Sequence, residues 1–117
     1  MLKTNNDIYC GELHGIASSA RWGDLAEFYV ADADYEPGTL IRFGGEKEIT
    51  IATTEDGANG VVTTRPGLMI NTGLTESDEK HVKGVALVGR VPVKVFGKVK
   101  KFDNITMSEI DGVGKVS

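Results

Sequence analysis

Short runs of β-favouring residues, each closed by glycine or proline, constrain this chain more than any other feature of its sequence. Glycine occurs 15 times in 117 residues against three prolines, and it supplies the backbone freedom that tight turns need. The clearest runs are residues 39–43, 48–53, 60–64, 68–70, 85–96 and 105–107. About six short strands separated by turns predict an all-β fold, either a small barrel or a sandwich.

The strongest strand signal is the run VALVGRVPVKVF at residues 85–96. Gly89 and Pro92 interrupt it, and these residues mark bends, bulges or edges within strands. We therefore predict two strand halves that meet at a corner in the centre of the fold. The side chains expected to be mostly buried are Leu87, Val91, Val93 and Val95.

One segment departs from the β pattern. Trp22, Leu25 and Ala26 are apolar at spacings of three and four, which predicts at most one short helix near residues 20–28. Asp24 would cap this helix, with Glu27 three residues later as in a capping box. A loop with a tight turn is the alternative.

Two connecting segments have clear turn or loop signals. Pro37 and Gly38 suit the central positions of a type II turn. Residues 71–81, NTGLTESDEKH, are the most polar stretch of the chain and predict an exposed loop.

The length predicts one β domain over residues 1–117, with residues 1–7 and 108–117 as candidate loose arms. The single cysteine, Cys10, excludes an intrachain disulfide and indicates synthesis in a reducing compartment. No stretch approaches the roughly 20 apolar residues of a membrane span, so we expect no membrane contact.

Acidic and basic residues are unevenly distributed along the chain. The net charge is −4, with 4 basic and 11 acidic residues in positions 1–60 against 9 and 6 in positions 61–117. An acidic chain is an unfavourable nucleic-acid binder, and we expect no such partner. The asymmetry fits either two solvated faces or copies that meet head to tail.

Metal ligands are sparse. His14 and His81 are far apart and have no cysteine or histidine at a zinc-ligand spacing, so we predict no metal and no other cofactor. Asp32, Asp34 and Glu36 alternate but lack the glycine and glutamate of a calcium loop, which favours a solvated acidic turn.

No convincing nucleophile stands out, and we expect no catalytic residue. Ser18 and Ser19 follow His14 by four and five residues, but that separation does not create a hydrogen bond. The acidic neighbours of Cys10 would oppose formation of its thiolate. Lys98, Lys100 and Lys101 are interpreted as a solvated strand face, because aromatic interleaving is limited to the flanking phenylalanines.

Four segments together resemble a known module. They are ASSARWGDLAEFY, DADYEPGTLIRFGGEKEIT, the strand at 60–64 followed by Pro66, and VALVGRVPVKVFGKVKKFD. Their order and spacing over residues 11–103 are similar to the C-terminal module of tail-fibre-like virion proteins of tailed phages, especially cyanophages. Gly23, Arg65-Pro66-Gly67 and Phe102 depart from the family pattern, which usually has glycine before Asp103.

The resemblance implies a virion protein, made in the host cytoplasm, that associates as a homo-oligomer, a trimer first of all, and docks on other phage virion proteins. No repetitive shaft precedes the module here, which favours a coat on a head, collar or tail tube over a fibre tip. A capsid decoration protein is the first alternative. An autoproteolytic assembly chaperone and a receptor- or glycan-binding module are the others.

The candidate structural or assembly residues are Trp22, Asp24, Glu27 and Arg90. Small residues at 17–20 beside Trp22 would let chains approach closely. We expect the carboxylates of Asp24 and Glu27 to pair with Arg21, Arg42 or Arg90 and so to fix the local turn.

Overall fold

The computed structural model describes residues 23–64 and 66–117, and these residues form eight short strands. The strands are β1 (Asp24–Val30), β2 (Leu40–Phe43), β3 (Ile49–Ile51), β4 (Gly60–Val62), β5 (Leu68–Ile70), β6 (Val82–Gly89), β7 (Ile105–Met107) and β8 (Gly114–Val116). A single 3-10 helix, Thr72–Glu76, lies between β5 and β6 within the described residues. The all-β prediction is confirmed.

Six strands form one mixed sheet in the order β3-β2-β4-β6-β1-β5. Neighbouring strands are antiparallel except β1 and β5, which run parallel. The sheet curls, because Ala31 at the end of β1 forms a parallel bridge with Ile49 of β3 on the far side. The Glu48 N–H also donates to the Val30 carbonyl at 3.0 Å. This one bridge leaves the sheet short of a closed barrel.

One face of the curled sheet holds the cluster called here the inner core. Its buried members are Ala31, Ile41, Ile49, Val62 and Val85. They come from the end of β1 and from β2, β3, β4 and β6, so the curl itself encloses them. Burying each valine or isoleucine side chain contributes roughly 1.5–3 kcal/mol to the free energy of unfolding.

A second cluster, called here the outer core, contains Leu40, Ala52, Val61 and Met107, with Val91 and Val93 packed against it. Leu40 precedes the inner-core Ile41, and successive side chains of a strand point to opposite faces. The two cores therefore lie on opposite faces of the sheet.

The tail, residues 108–117, is folded against the sheet, although we expected a loose arm there. Ser108 is 1% exposed, and β8 pairs with β7 over three residues. Gly112 ties the tail to β2 and to the residue after β3. Its carbonyl accepts the Leu40 N–H at 2.8 Å, and its N–H donates to the Ala52 carbonyl at 2.9 Å. Residues 1–7, the other expected arm, lie outside the described residues.

We expected at most one short helix near residues 20–28, with a loop as the alternative, and the described part of this segment forms neither, because residues 24–30 are strand β1. β1 is hydrogen-bonded on both sides, with Ala26 opposite Ala86 of β6 and Met69 of β5. Two partner strands satisfy its backbone, and this outweighs the weak helical spacing of Leu25 and Ala26.

The bend predicted inside residues 85–96 occurs at Gly89, where β6 ends with φ 110°. A side chain there would collide with the chain before β1, since an added Cβ would lie 2.2 Å from the Gly23 carbonyl oxygen. β6 is central, as predicted, and Val91 and Val93 are half-buried. Leu87 and Val95 are instead 38% and 39% exposed.

Both predicted connections are confirmed. Thr39 N–H donates to the Glu36 carbonyl at 3.2 Å, and Gly38 has φ 90°, as a type II turn requires. Residues 71–81 are largely exposed and contain the 3-10 helix.

Candidate assembly surface

Asp24, a predicted structural residue, is buried where β5 approaches β1. Its side chain is 4% exposed, and its Oδ1 accepts the Gly67 N–H at 3.2 Å. The same N–H donates to the Asp24 backbone carbonyl at 2.9 Å. Asp24 therefore holds the residue that leads into β5, and it does not cap a helix.

The expected pairing of Asp24 and Glu27 with arginines is wrong for the arginines that the structure describes. Arg42 pairs with Asp56 at 3.5 Å. Arg90 is exposed and contributes a backbone N–H to the Gly23 carbonyl at 3.3 Å. Arg21 and Trp22 lie outside the described residues.

Glu27 accepts a hydrogen bond from the Tyr29 hydroxyl at 3.1 Å. Burial, this hydrogen bond and the negative charge of Glu27 raise the pKa of Tyr29. The Tyr29 ring also contacts Phe43 of β2 with a centroid distance of 5.0 Å. Glu27 therefore positions a side chain that packs across the curled sheet.

The acidic turn after β1 is tied to three other segments. Asp32 accepts from the Tyr35 hydroxyl and from the Thr50 hydroxyl, the latter at 2.6 Å. Asp34 pairs with Lys83 of β6, and Glu36 pairs with Lys94. The turn is exposed, as predicted, but each carboxylate has its own protein partner.

These contacts keep the carboxylates ionised. Burial by itself raises the pKa of Asp32, but the hydrogen bonds from Thr50 and Tyr35 outweigh it and lower that pKa. A hydrogen bond and the positive charge of Lys83 lower the pKa of Asp34. Lys94 does the same for Glu36.

The described residues contain no group of three histidine, cysteine, aspartate or glutamate side chains that could hold a metal ion. His81 contributes its backbone carbonyl to Ala31 N–H at 2.8 Å. The other residues considered as ligands or nucleophiles, Cys10, His14, Ser18 and Ser19, lie outside the described part of the chain.

No helix among the described residues has the length and apolar character needed to cross a membrane.

Exposed apolar side chains are concentrated in the last quarter of the chain. Those exposed by more than a third are Val95, Phe96, Val99, Phe102, Ile105, Ile110 and Val116. Ile105 and Val116 are opposite each other in β7 and β8, and Val95 forms a bridge with Gly114 of β8, so part of this set lies together. Single exposed apolar residues are normal, but a group of neighbouring ones marks a binding or assembly surface. This region is the candidate functional site.

Phe102 is the most exposed of these side chains, at 90%. It sits in a turn whose closing hydrogen bond runs from Asp103 N–H to the Lys100 carbonyl at 3.0 Å. The Asp103 carboxylate in turn accepts the Lys100 N–H at 2.7 Å. Phe102 has φ 72°, the left-handed region that disfavours residues with a Cβ.

Residues 96–102, here called the basic loop, carry three lysines beside the exposed aromatic rings. Lys98, Lys100 and Lys101 form no ion pair with any described residue, and the Lys101 ammonium lies 5.3 Å from the centre of the Phe102 ring. These lysines were predicted on a strand face, but the segment is irregular and ends in the turn.

An apolar cavity of about 340 Å³ opens between β2, β7 and the segment after β6. Its lining includes the side chains of Leu40, Thr54, Ala58, Val93, Ile105 and Met107. Phe102 does not line it.

An acidic cleft of about 450 Å³ adjoins the apolar cavity, and Thr54 lines both. Glu55, Asp56, Glu109 and Asp111 supply its carboxylates. The hydrogen bond from Lys115, at 2.8 Å, lowers the pKa of Glu109. The apolar cavity is therefore bordered by negative charge.

Sequence reasoning missed Phe102, the cavity and the cleft. An aromatic residue beside an Asp-Asn turn, within a lysine-rich segment, was the available signal for the loop. The cavity had no such signal, because its lining residues are up to 67 positions apart in sequence, from Leu40 to Met107.

Searches of protein-family models, of curated proteins and of solved structures found no match to this chain.

Proposed function

We propose that this chain is a structural virion protein of a tailed phage, which acts by self-association, most simply as a trimer, and by docking on other virion proteins. The resemblance of residues 11–103 to the terminal module of tail-fibre-like proteins supports the virion assignment. The exposed apolar region of the described residues supports the assembly role. No catalytic step or cofactor is part of the proposal.

The observation that carries the proposal is the balance between buried and exposed apolar side chains. Within residues 23–64 and 66–117, twelve apolar residues are buried, and four of these are alanines: Ala26, Ala31, Ala52 and Ala86. Among the residues that the structure describes, twelve large apolar side chains are exposed, seven of them between residues 95 and 116. Covering such a surface with another protein chain removes apolar area from water, which favours association.

Quantitative mass spectrometry of purified phage particles tests the proposal. We expect the intact chain in every particle, in a copy number that is a multiple of three. Absence of the chain from particles would refute the virion assignment. A reproducible cut near Ser18 or Ser19 that Ser→Ala substitution abolishes would favour the autoproteolytic chaperone instead.

The position of the chain in a particle reconstruction distinguishes an appendage component from a capsid decoration protein. Density for the chain on a tail or collar supports an appendage component. Density between capsomers on the head would assign it as a capsid decoration protein.

A further inference from the structure

Phe102 combines two unfavourable features that an isolated folded chain does not need. Its ring is 90% exposed, and its backbone has φ 72°. Glycine or asparagine would occupy such a turn position at lower cost. Strained residues that persist in a fold are concentrated at functional sites. The turn therefore presents an apolar ring to something outside its own chain.

The apolar cavity is a suitable receptor for such a ring. Its volume is about 340 Å³, whereas a cavity of about 150 Å³ is enough to hold benzene. Leu40, Val93 and Met107 provide apolar walls. Because Phe102 does not fill the cavity of its own chain, the cavity is open to the ring of a neighbour.

The charges around the ring and around the cavity are opposite. Lys98, Lys100 and Lys101 precede Phe102 in the basic loop, and the Lys101 ammonium lies 5.3 Å from the centre of its ring. The acidic cleft beside the cavity contains Glu55 and Asp111, which form no ion pair with other described residues. An apolar ring framed by positive charge thus matches an apolar cavity framed by negative charge.

We propose that Phe102 inserts into the apolar cavity of a second copy of this chain, with the basic loop against that copy's acidic cleft. This inference rests on the self-association proposed above and names the surfaces that carry it. The two surfaces differ, so the contact is heterologous, and it forms a closed ring when the rotation between copies closes. A three-copy ring is compatible with the proposed trimer.

The first test measures the dissociation constant by sedimentation equilibrium of the full chain and of Phe102→Gly. Loss of a central aromatic anchor is expected to raise the dissociation constant about 30-fold. The melting temperature, measured where both proteins are monomeric, should stay the same or rise, because glycine relieves the left-handed backbone. Phe102→Asn, which also tolerates this backbone, should behave alike.

The matched control is Val88→Thr, because Val88 is another exposed apolar side chain, 65% exposed, outside both proposed surfaces. It should leave the dissociation constant unchanged. Equal weakening by Val88→Thr and Phe102→Gly would overturn the inference, since the effect would then follow general surface apolarity. A clear loss of melting temperature in both Phe102 variants would also overturn it, because the ring would then pack within its own chain.

Charge reversal tests the pairing of the two surfaces. The double variant Lys100→Glu/Lys101→Glu should weaken association at least tenfold at low salt, as should Glu55→Lys/Asp111→Lys. In an equimolar mixture, the acidic loop of one variant faces the basic cleft of the other, so mixed pairs should form again. Pairs are expected in place of trimers, because a three-copy ring of two components always keeps one like-charge contact. Failure of the mixture to associate would overturn the pairing.

The outcomes separate this inference from the proposed function. A wild-type chain that associates with the same dissociation constant as Phe102→Gly overturns the interface and leaves self-association intact. A wild-type chain that stays monomeric refutes self-association itself. If that monomer binds vesicles of phosphatidylserine and phosphatidylcholine, and Phe102→Gly does not, the occupant is a membrane surface and the second-copy assignment is wrong.

Discussion

Asp32 shows how a single side chain fastens the acidic turn to the sheet. It accepts hydrogen bonds from Tyr35 and Thr50, and the Tyr35 oxygen accepts the Ile51 N–H at 3.2 Å. Ionised Asp32 is the form that both hydroxyls stabilise, so its pKa is lowered in the folded chain from the ordinary value of 3.8. The contribution to stability is present above that value and is lost as the pH falls through the lower, folded pKa.

Replacing Asp32 with asparagine should therefore destabilise the fold at pH 7, and the difference from wild type should shrink as the pH falls below about 4. Urea unfolding at pH 7, 4 and 2.5 measures the difference in unfolding free energy between the two proteins. Asp78→Asn is the control, because Asp78 is exposed and makes no side-chain hydrogen bond to a described residue. A difference that stays constant from pH 7 to 2.5 would contradict the assigned role.

Ser108 is the most buried polar side chain in the tail, at 1% exposure. Its hydroxyl lies 2.6 Å from the Val113 carbonyl oxygen and accepts the Ile110 N–H at 3.1 Å. Ser108→Ala removes both hydrogen bonds, although the Val113 carbonyl still accepts the Ser108 N–H at 3.0 Å, and it should cost roughly 0.5–1.5 kcal/mol of unfolding free energy. Ser77→Ala, at an exposed position, should cost less, and equal losses in chemical denaturation would contradict this account.

At the scale of elements, strand β6 gives the sharpest contrast between positions. Val85 is 0% exposed in the inner core, whereas Val88 is 65% exposed near the end of the same strand. Val85→Asp buries an unpaired charge and should cost at least about 3 kcal/mol, a large part of the stability of a small domain, so its melting temperature should fall steeply. Val88→Asp should shift the melting temperature by only a few degrees. Similar melting of both variants would show that the inner core is misplaced.

Most strands could be predicted from the sequence because glycine and proline mark their ends. The runs at 39–43, 48–53 and 60–64 each contain a strand of the structure. Strand β1 could not be predicted, because the spacing of its own apolar residues favours a helix. Its partner residues, Met69 and Ala86, are distant in sequence and show the strand only once the chain is folded. The exposure of Leu87 could not be predicted from the sequence either. An alternating apolar pattern does not show which part of a strand other elements pack against.

At the scale of the whole molecule, the sheet curls and still leaves an apolar region open at one end. The charge asymmetry of the two halves was visible in the sequence, and it accounts for the cleft only in part, because Glu109 and Asp111 of the acidic cleft belong to the same basic half as the basic loop. The cavity between them required the fold, because β2, β7 and the segment after β6 come together only through the curled sheet and the tail. The sequence could therefore predict complementary charge but not the place where copies meet.

The most direct test of the central claim is the mass of the full chain in solution, measured by sedimentation equilibrium over a wide concentration range. The account predicts a reversible assembly of about three times the 12.5 kDa chain mass, which weakens as salt screens the charged surfaces. A mass that remains at 12.5 kDa at the highest concentration would contradict self-association.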